Sequence, residues 1–357
     1  NEVHLEMVDK EIALVIMQDR KNRNMFSNNI VKGLMSAFWR ISQDETIKAV
    51  VLTGYDNIFS MGGTFEELLS IADQTGGFKD VAFIYKGLLE CKVPVISAIQ
   101  GHAVGGGLTF GMYADITVMA KEGVYSANFM KYGFTPGLGS TYILRDRFGS
   151  SLASEMMFTA KEYSGEELMK RGASFIFKNG PEVLNEALRI AKSMADKPQN
   201  ALKLLKTELS GRILSVLPYI IERESKMHDI SFSNPQVKER INFYSHISKA
   251  EAKEAMNNES QRWDRMEQRP VLADKTIIEG KERASVKLTS GMSLEYIQNQ
   301  VIEVVKNILR YKDNEISTEL SFSELGADSI SGVEIIRDIN TRFGTHLEAA
   351  EIYNHPN

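Results

Sequence analysis

Up to about residue 150, apolar positions follow two alternating rhythms. "EIALVIMQ" (11–18), "IKAVVLTG" (47–54), "PVISAIQG" (94–101) and "ITVMAK" (116–121) are short apolar runs, the pattern of strands covered on both faces. Between them, "SNNIVKGLMSAFWRISQD" (27–44), "FEELLSI" (65–71) and "DVAFIYKGLLECK" (80–92) space their apolar residues as helices do. Ser27 stands where a helix N-cap belongs, because its hydroxyl can accept a bond from a first-turn N–H. Strands alternating with helices predict an α/β fold with parallel pairing.

After about residue 151 the helical rhythm takes over, through "EMMFTA", "SGEELMKRG", "EVLNEALRIAKSMAD", "ALKLLKTELS" and "VLPYIIERESKMHDISF" (155–232). An all-helical end must bury its apolar faces on its own sheet or on a neighbouring subunit. Residues 248–290 then turn polar and charge-rich with few aromatics, as in a linker that does not fold alone. From Met292, "SLEYIQNQVIEVVKNIL" resumes an amphipathic helix. The expected organisation is a domain over 1–247, a linker over 248–290 and a small module over 291–357, with no internal repeat.

Composition sharpens this division. Residues 291–357 hold 5 Lys+Arg against 11 Asp+Glu, while the rest of the chain is nearly neutral. Neither part carries the basic face of a nucleic-acid binder. No apolar run reaches the roughly 18 residues that span a bilayer. The start is polar, without a signal peptide, and opens on Asn1 rather than Met, as an excised fragment would. The single cysteine, Cys91, excludes an internal disulfide framework and a paired-cysteine zinc site, and points to a reducing cytoplasm. His4, His246, His346 and His355 have no metal-ligating spacing, so no metal is expected.

The chemistry begins at "QGHAVGGGLTFGMYAD" (100–115), where three consecutive glycines separate an apolar strand from an apolar helix. Glycines there let the backbone turn sharply or come close to a ligand. "FSMGGT" (59–64), "GHAVGGGL" (101–108) and "TPGLGST" (135–141) together resemble the crotonase (enoyl-CoA hydratase) superfamily over about residues 1–247. The resemblance implies a spiral of ββα units with C-terminal helices at the contacts of a homo-trimer. It also implies an oxyanion hole for a thioester carbonyl, formed by the N–H groups of Gly63 and Gly106. "PGLGST" lacks the GxGxxG spacing, so no nucleotide is expected.

The departures from the family are as informative as the matches. A hydratase of this family delivers water with two glutamates, and Thr109 and Phe129 occupy their positions. Neither can act as a general base. That loss, with "NFMKYGFTPG" (128–137), resembles the decarboxylase-type crotonases of polyketide β-branching. The implied reaction is loss of CO₂ from a 3-methylglutaconyl-type thioester on an acyl carrier protein. In those enzymes a C-terminal-helix histidine and a loop lysine serve the substrate carboxylate. His228 matches the histidine, whereas Lys79 follows Phe78 where the family places its lysine before the phenylalanine. Phe129, Thr109, Tyr85 and Tyr132 are candidates for the acyl pocket, with a core or rim position as the alternative for the two tyrosines. His102 reads as structural and Cys91 as a buried small hydrophobe. "DRKNRN" (19–24) is either a contact for a phosphopantetheine phosphate or acidic carrier, or a solvated charge run. A dehydratase or isomerase needing only enolate stabilisation, and an inert docking module for carrier domains, remain open readings.

The small acidic module resembles an acyl carrier protein. In "LGADSISGVEIIRDINTRFG" (325–344) an Asp328-Ser329 pair opens a helical pattern with apolar residues at 330, 333, 335, 336 and 339. The resemblance implies an all-α four-helix bundle, its last helix cut short at "EIYNHPN", with 4′-phosphopantetheine held on Ser329 as a phosphodiester. Other polyketide synthase domains are the implied partners.

Overall fold

A computed structural model describes residues 2–76, 81–246 and 294–309, and, further on, 335, 336, 338–340 and 342. The chain divides into two compact units, Asn1–Arg269 and Pro270–Asn357.

The first unit is built on two sheets. One runs β1 (Val3–Met7), β2 (Ile12–Met17), β3 (Ala49–Thr53), β5 (Val95–Ile99), β7 (Ile116–Ala120) and β10 (Ile176–Lys178). The smaller runs β4 (Ile58–Ser60), β6 (His102–Val104), β8 (Val124–Ser126) and β9 (Tyr163–Ser164). Three successive β-pairs, β3–β4, β5–β6 and β7–β8, each give their first strand to the large sheet and their second to the small one. This is the ββ repeat of the expected spiral. Pairing within each sheet is parallel except at β1–β2 and β8–β9. All five residues of β3 and of β5 are buried, as apolar runs covered on both faces require.

Helices α1 (Asn28–Gln43), α2 (Phe65–Ala72), α3 (Ala82–Glu90) and α4 (Gly106–Met112) follow strands in the first half. Ser27 caps α1 by accepting the Ile30 N–H at 3.3 Å. Helices α5 (Ser140–Phe148), α6 (Ser150–Thr159), α7 (Gly165–Lys170) and α8 (Gly180–Ala195) follow. Along α8, Val183, Ala187, Ala191 and Ala195 recur every fourth residue and are buried against Leu14, Val51, Ile96 and Val118 of the large sheet. Small side chains at that spacing let the helix lie close to the strands.

Two expectations need correction. The stretch after 151 is not all helical, because β9 and β10 complete the two sheets. At two and three residues they are too short to show a strand's alternation. The two helical patterns over 201–232 form one 34-residue helix, α9 (Gln199–Phe232), which runs through Pro218. A buried ion pair anchors it: Lys206 Nζ lies 2.7 Å from Asp115 Oδ2 and donates to Leu88 O at 2.7 Å. A further helix, α10, covers 235–246.

In the second unit, α11 (Leu294–Leu309) is the amphipathic helix expected from its sequence. Val304 and Val305 are buried, as are Ile335, Ile336 and Ile339. Among the described residues no helix is long and apolar enough to cross a membrane.

Candidate active site

A cavity of about 260 Å³ opens where the glycine loops meet α9. Gly63, Gly106, Phe129, Tyr85, Tyr132 and His228 all line it. Six residues singled out from the sequence are thus brought together from five separate segments.

One wall is backbone. Gly105 has φ +55° and ψ −123°, a conformation open to glycine, and a β-carbon there would stand 2.6 Å from Asn128 Oδ1. Gly62 has φ +84°, and its β-carbon would stand 2.8 Å from Val104 O and 3.1 Å from Gly106 N. The two glycine loops therefore touch backbone to backbone. Gly106 opens α4, so its N–H has no acceptor within the helix.

The loop carrying Gly62 and Gly63 is braced by the segment "DRKNRN". Asn24 is fully buried; its amide donates to Met17 O and Phe59 O, each at 3.0 Å, and its Oδ1 accepts the Asp19 N–H at 2.7 Å. Ser60 Oγ donates to Asn24 O at 2.7 Å, and the Phe26 N–H donates to Gly62 O at 2.7 Å. Arg23 and Asn24 both have left-handed φ, near +51° and +52°. Asp19 and Asn24 make this segment a brace, while its charged Arg20 and Lys21 stay exposed. Its basic residues drew attention in the sequence, whereas Asn24 holds the loop.

The facing wall comes from α9 and the aromatic segment 128–134. His228 donates from Nε2 to Thr135 O at 2.7 Å, which leaves Nδ1 as the ring nitrogen able to meet a ligand. Burial pushes its imidazole below the usual histidine range, so the free protein holds it neutral at pH 7. Phe134 packs edge-on to His228 at 5.9 Å and stacks with Phe232 at 4.5 Å. Phe129 is buried beside Phe134, and Tyr132 stacks on Phe134 at 5.8 Å. Burial pushes the Tyr132 hydroxyl up to about 12.

The remaining assignments fall differently. Thr109, placed in the acyl pocket from its sequence position, is fully buried on α4 and is not among the lining residues. Its hydroxyl is 2.8 Å from Ser140 Oγ and donates to Gly105 O at 3.1 Å, so it fastens α4 to α5. Lys79 and Ser329 lie outside the described residues. His102 lies outside the cavity; its Nδ1 accepts the Val124 N–H at 3.0 Å, in keeping with a structural role. Cys91 is half-buried at the end of α3, less enclosed than expected.

Sequence reasoning missed Glu224. It lines the cavity one helical turn before His228 and is 2% exposed. The signal was present: Leu217, Ile221, Glu224, His228 and Phe232 fall on one helical stripe, so a carboxylate sits on an apolar face. It is the carboxylate among the described lining residues, and three donors already occupy its oxygens. The cavity thus presents backbone donors, an apolar aromatic wall and one half-buried imidazole.

This architecture defines an acyl-thioester enzyme of the crotonase type. Residues 8–255 match the enoyl-CoA hydratase/isomerase family, and the chain belongs to that family. Residues 299–357 match the phosphopantetheine attachment site family. The chain is similar to the bacillaene synthase decarboxylase PksI of Bacillus subtilis (strain 168), with 45% identity over 239 residues, 67% of this chain and 96% of that protein. A solved structure of a dehydratase/decarboxylase enzyme couple involved in polyketide beta-branching aligns with TM-score 0.66 and 44% identity, covering 68% of this chain and 95% of that one. The ECH2 decarboxylase domain of CurF from Lyngbya majuscula aligns with TM-score 0.66 and 38% identity, covering 68% of this chain and 99% of that one.

Proposed function

We propose that this chain decarboxylates a 3-methylglutaconyl-type thioester, presented on an acyl carrier protein within a polyketide assembly line. It is a carbon–carbon lyase of the crotonase superfamily with a carrier module in the same chain. The observation that carries the reading is the pairing of the Gly63–Gly106 backbone wall with His228, in a cavity whose one described carboxylate already accepts three hydrogen bonds.

The thioester oxygen lies between the N–H groups of Gly63 and Gly106. The bond to the carboxylate breaks, CO₂ departs, and the electron pair passes into the conjugated system as a dienolate on that oxygen. Fixed donors in a water-poor site contribute several kcal/mol to such a charge. The substrate carboxylate favours protonation of His228, whose Nδ1–H then holds it. Once CO₂ has left, the same proton passes to carbon, so one proton is consumed per turnover. Lys79 is assigned to the same carboxylate. Phe129, Tyr85 and Tyr132 form the apolar surround of the acyl chain.

Ser329 is the proposed attachment point of 4′-phosphopantetheine, with the module over 291–357 and the linker over 248–290. Intact mass rises by one arm after treatment with a carrier-protein transferase and CoA, and stays unchanged in Ser329→Ala. The catalytic unit is assigned to a homo-trimer in a reducing cytoplasm, supported by the exposed Leu204, Leu205, Leu209 and Ile230 on α9. A monomer in sedimentation at micromolar concentration contradicts the trimer. The reaction itself is tested by incubating the protein with synthetic 3-methylglutaconyl-pantetheine and weighing the product. Loss of CO₂ supports the reading. Gain or loss of water makes the chain a hydratase or dehydratase, an unchanged mass with a moved double bond an isomerase, and an unchanged substrate a docking module.

A further inference from the structure

Glu224 is a buried carboxylate to which the proposed reaction assigns no role. Its Oε2 accepts the Gly139 N–H at 2.6 Å, and its Oε1 accepts the Thr141 N–H at 2.8 Å and the Thr141 hydroxyl at 2.6 Å. Three donors on two oxygens is the arrangement of an ionised acid. Burial pushes the carboxyl above the usual carboxylate range, and the Thr141 and Gly139 donors pull it back by favouring the charged form. Three of its roughly four acceptor sites are taken, and the one that remains is on Oε2.

The turn it grips has an unusual backbone. Leu138 has φ +62° and Gly139 has φ +76°, and the Tyr113 hydroxyl donates to Leu138 O at 2.7 Å. A leucine in the left-handed region persists only where its surroundings hold it there. Both neighbours of this turn belong to the site. A β-carbon at Gly106 would stand 2.9 Å from Leu138 Cδ1, so Leu138 rests directly on the first residue of α4. A β-carbon at Gly137 would stand 2.5 Å from His228 Cε1, so the imidazole rests on the other end of the same turn.

We propose that Glu224 is a positioning residue that clamps the turn 137–141 to α9, fixing in one step Leu138 against the Gly106 donor and the His228 ring against Gly137. The spacing between the oxyanion donors and the histidine is then set by one carboxylate that touches neither. A shift of about 1 Å in such a turn is enough to cost on the order of 10²-fold in turnover.

This inference rests on the decarboxylase reading for one of its two measurements and is independent of it for the other. The full chain and its Glu224→Gln variant are compared for kcat and KM on 3-methylglutaconyl-pantetheine, and for the near-ultraviolet enolate band of bound acetoacetyl-pantetheine. The amide turns an N–H₂ toward donors that need acceptors. The expected result is a kcat lower by roughly 10²-fold with KM within about threefold, and an enolate band lost at saturating analogue. Thr141→Val removes one of the three donors and gives a smaller loss in the same direction. Wild-type kcat and band in folded Glu224→Gln, or a raised KM with unchanged kcat, overturns the proposal. If Glu224→Gln does not fold, Thr141→Val decides, and its wild-type kcat and band overturn the proposal. A wild-type protein that binds the analogue without forming the band also overturns it. A band that forms in the wild type and vanishes in Glu224→Gln, with no CO₂ released by either, supports the clamp and overturns the decarboxylase reading.

Discussion

The two walls of the cavity are made in opposite ways. The glycine wall is backbone, with each loop held by neighbours on short strands and by the Asn24 brace. The α9 wall is side chains, reaching back to Thr135 and Gly139 across 93 and 85 residues of chain. Backbone N–H groups survive most side-chain substitutions, so the proposed acceptor for enolate charge belongs to the fold itself. What that charge is used for depends on the side chains placed around it. In the proposed reaction Thr109 and Phe129 stand in place of the water-activating carboxylates, and His228 is the neutral base that a bound carboxylate charges.

Substitutions that break one wall without the other sharpen this contrast. The largest loss is expected from Gly106→Pro, which removes an oxyanion donor and pushes ring atoms into Leu138; activity falls by at least about 10²–10³-fold. His228→Ala comes next, at roughly the 10²-fold of a lost acid–base group, with the melting temperature near wild type. The pH profile carries the sign of its role. kcat/KM reports the free enzyme, so it declines as pH rises through the His228 ionisation, below the ordinary value of about 6.5, and His228→Ala flattens that limb. Lys79→Ala lowers turnover less than His228→Ala, because its register against the loop phenylalanine is displaced. Asn24→Ala leaves the α9 wall intact and loosens the glycine wall, destabilising the protein by about 1–3 kcal/mol through its unpaired buried partners, as read by denaturant unfolding.

The same contrast explains what could be read from the sequence. β2, β3, β5, β7 and α1 were legible, because long apolar runs and a capped amphipathic helix carry their own periodicity. The strands of the small sheet were not, since β4, β6 and β8 have three residues each and are recruited by pairing rather than by pattern. In the site, the glycine loops were legible because their constraint is local. His228 came from its match to a family pattern. Glu224 left a local sign, a carboxylate on an apolar stripe, but its partners, like the Thr109–Ser140 contact, lie tens of residues away where no local spacing encodes them. Thr109 shows the limit from the other side: its position in the pattern placed it in the pocket, and its hydroxyl turned to Ser140 instead.

In the proposed reaction, charge released by loss of CO₂ is held at the glycine wall and quenched by a proton from the α9 wall. Turnover of 3-methylglutaconyl-pantetheine in deuterium oxide, followed by mass spectrometry, tests both halves at once. The expected product is lighter by CO₂ with one deuterium on carbon, formed at a rate that falls together with deuterium incorporation in His228→Ala. A product that keeps its carboxylate and gains or loses water contradicts that reaction.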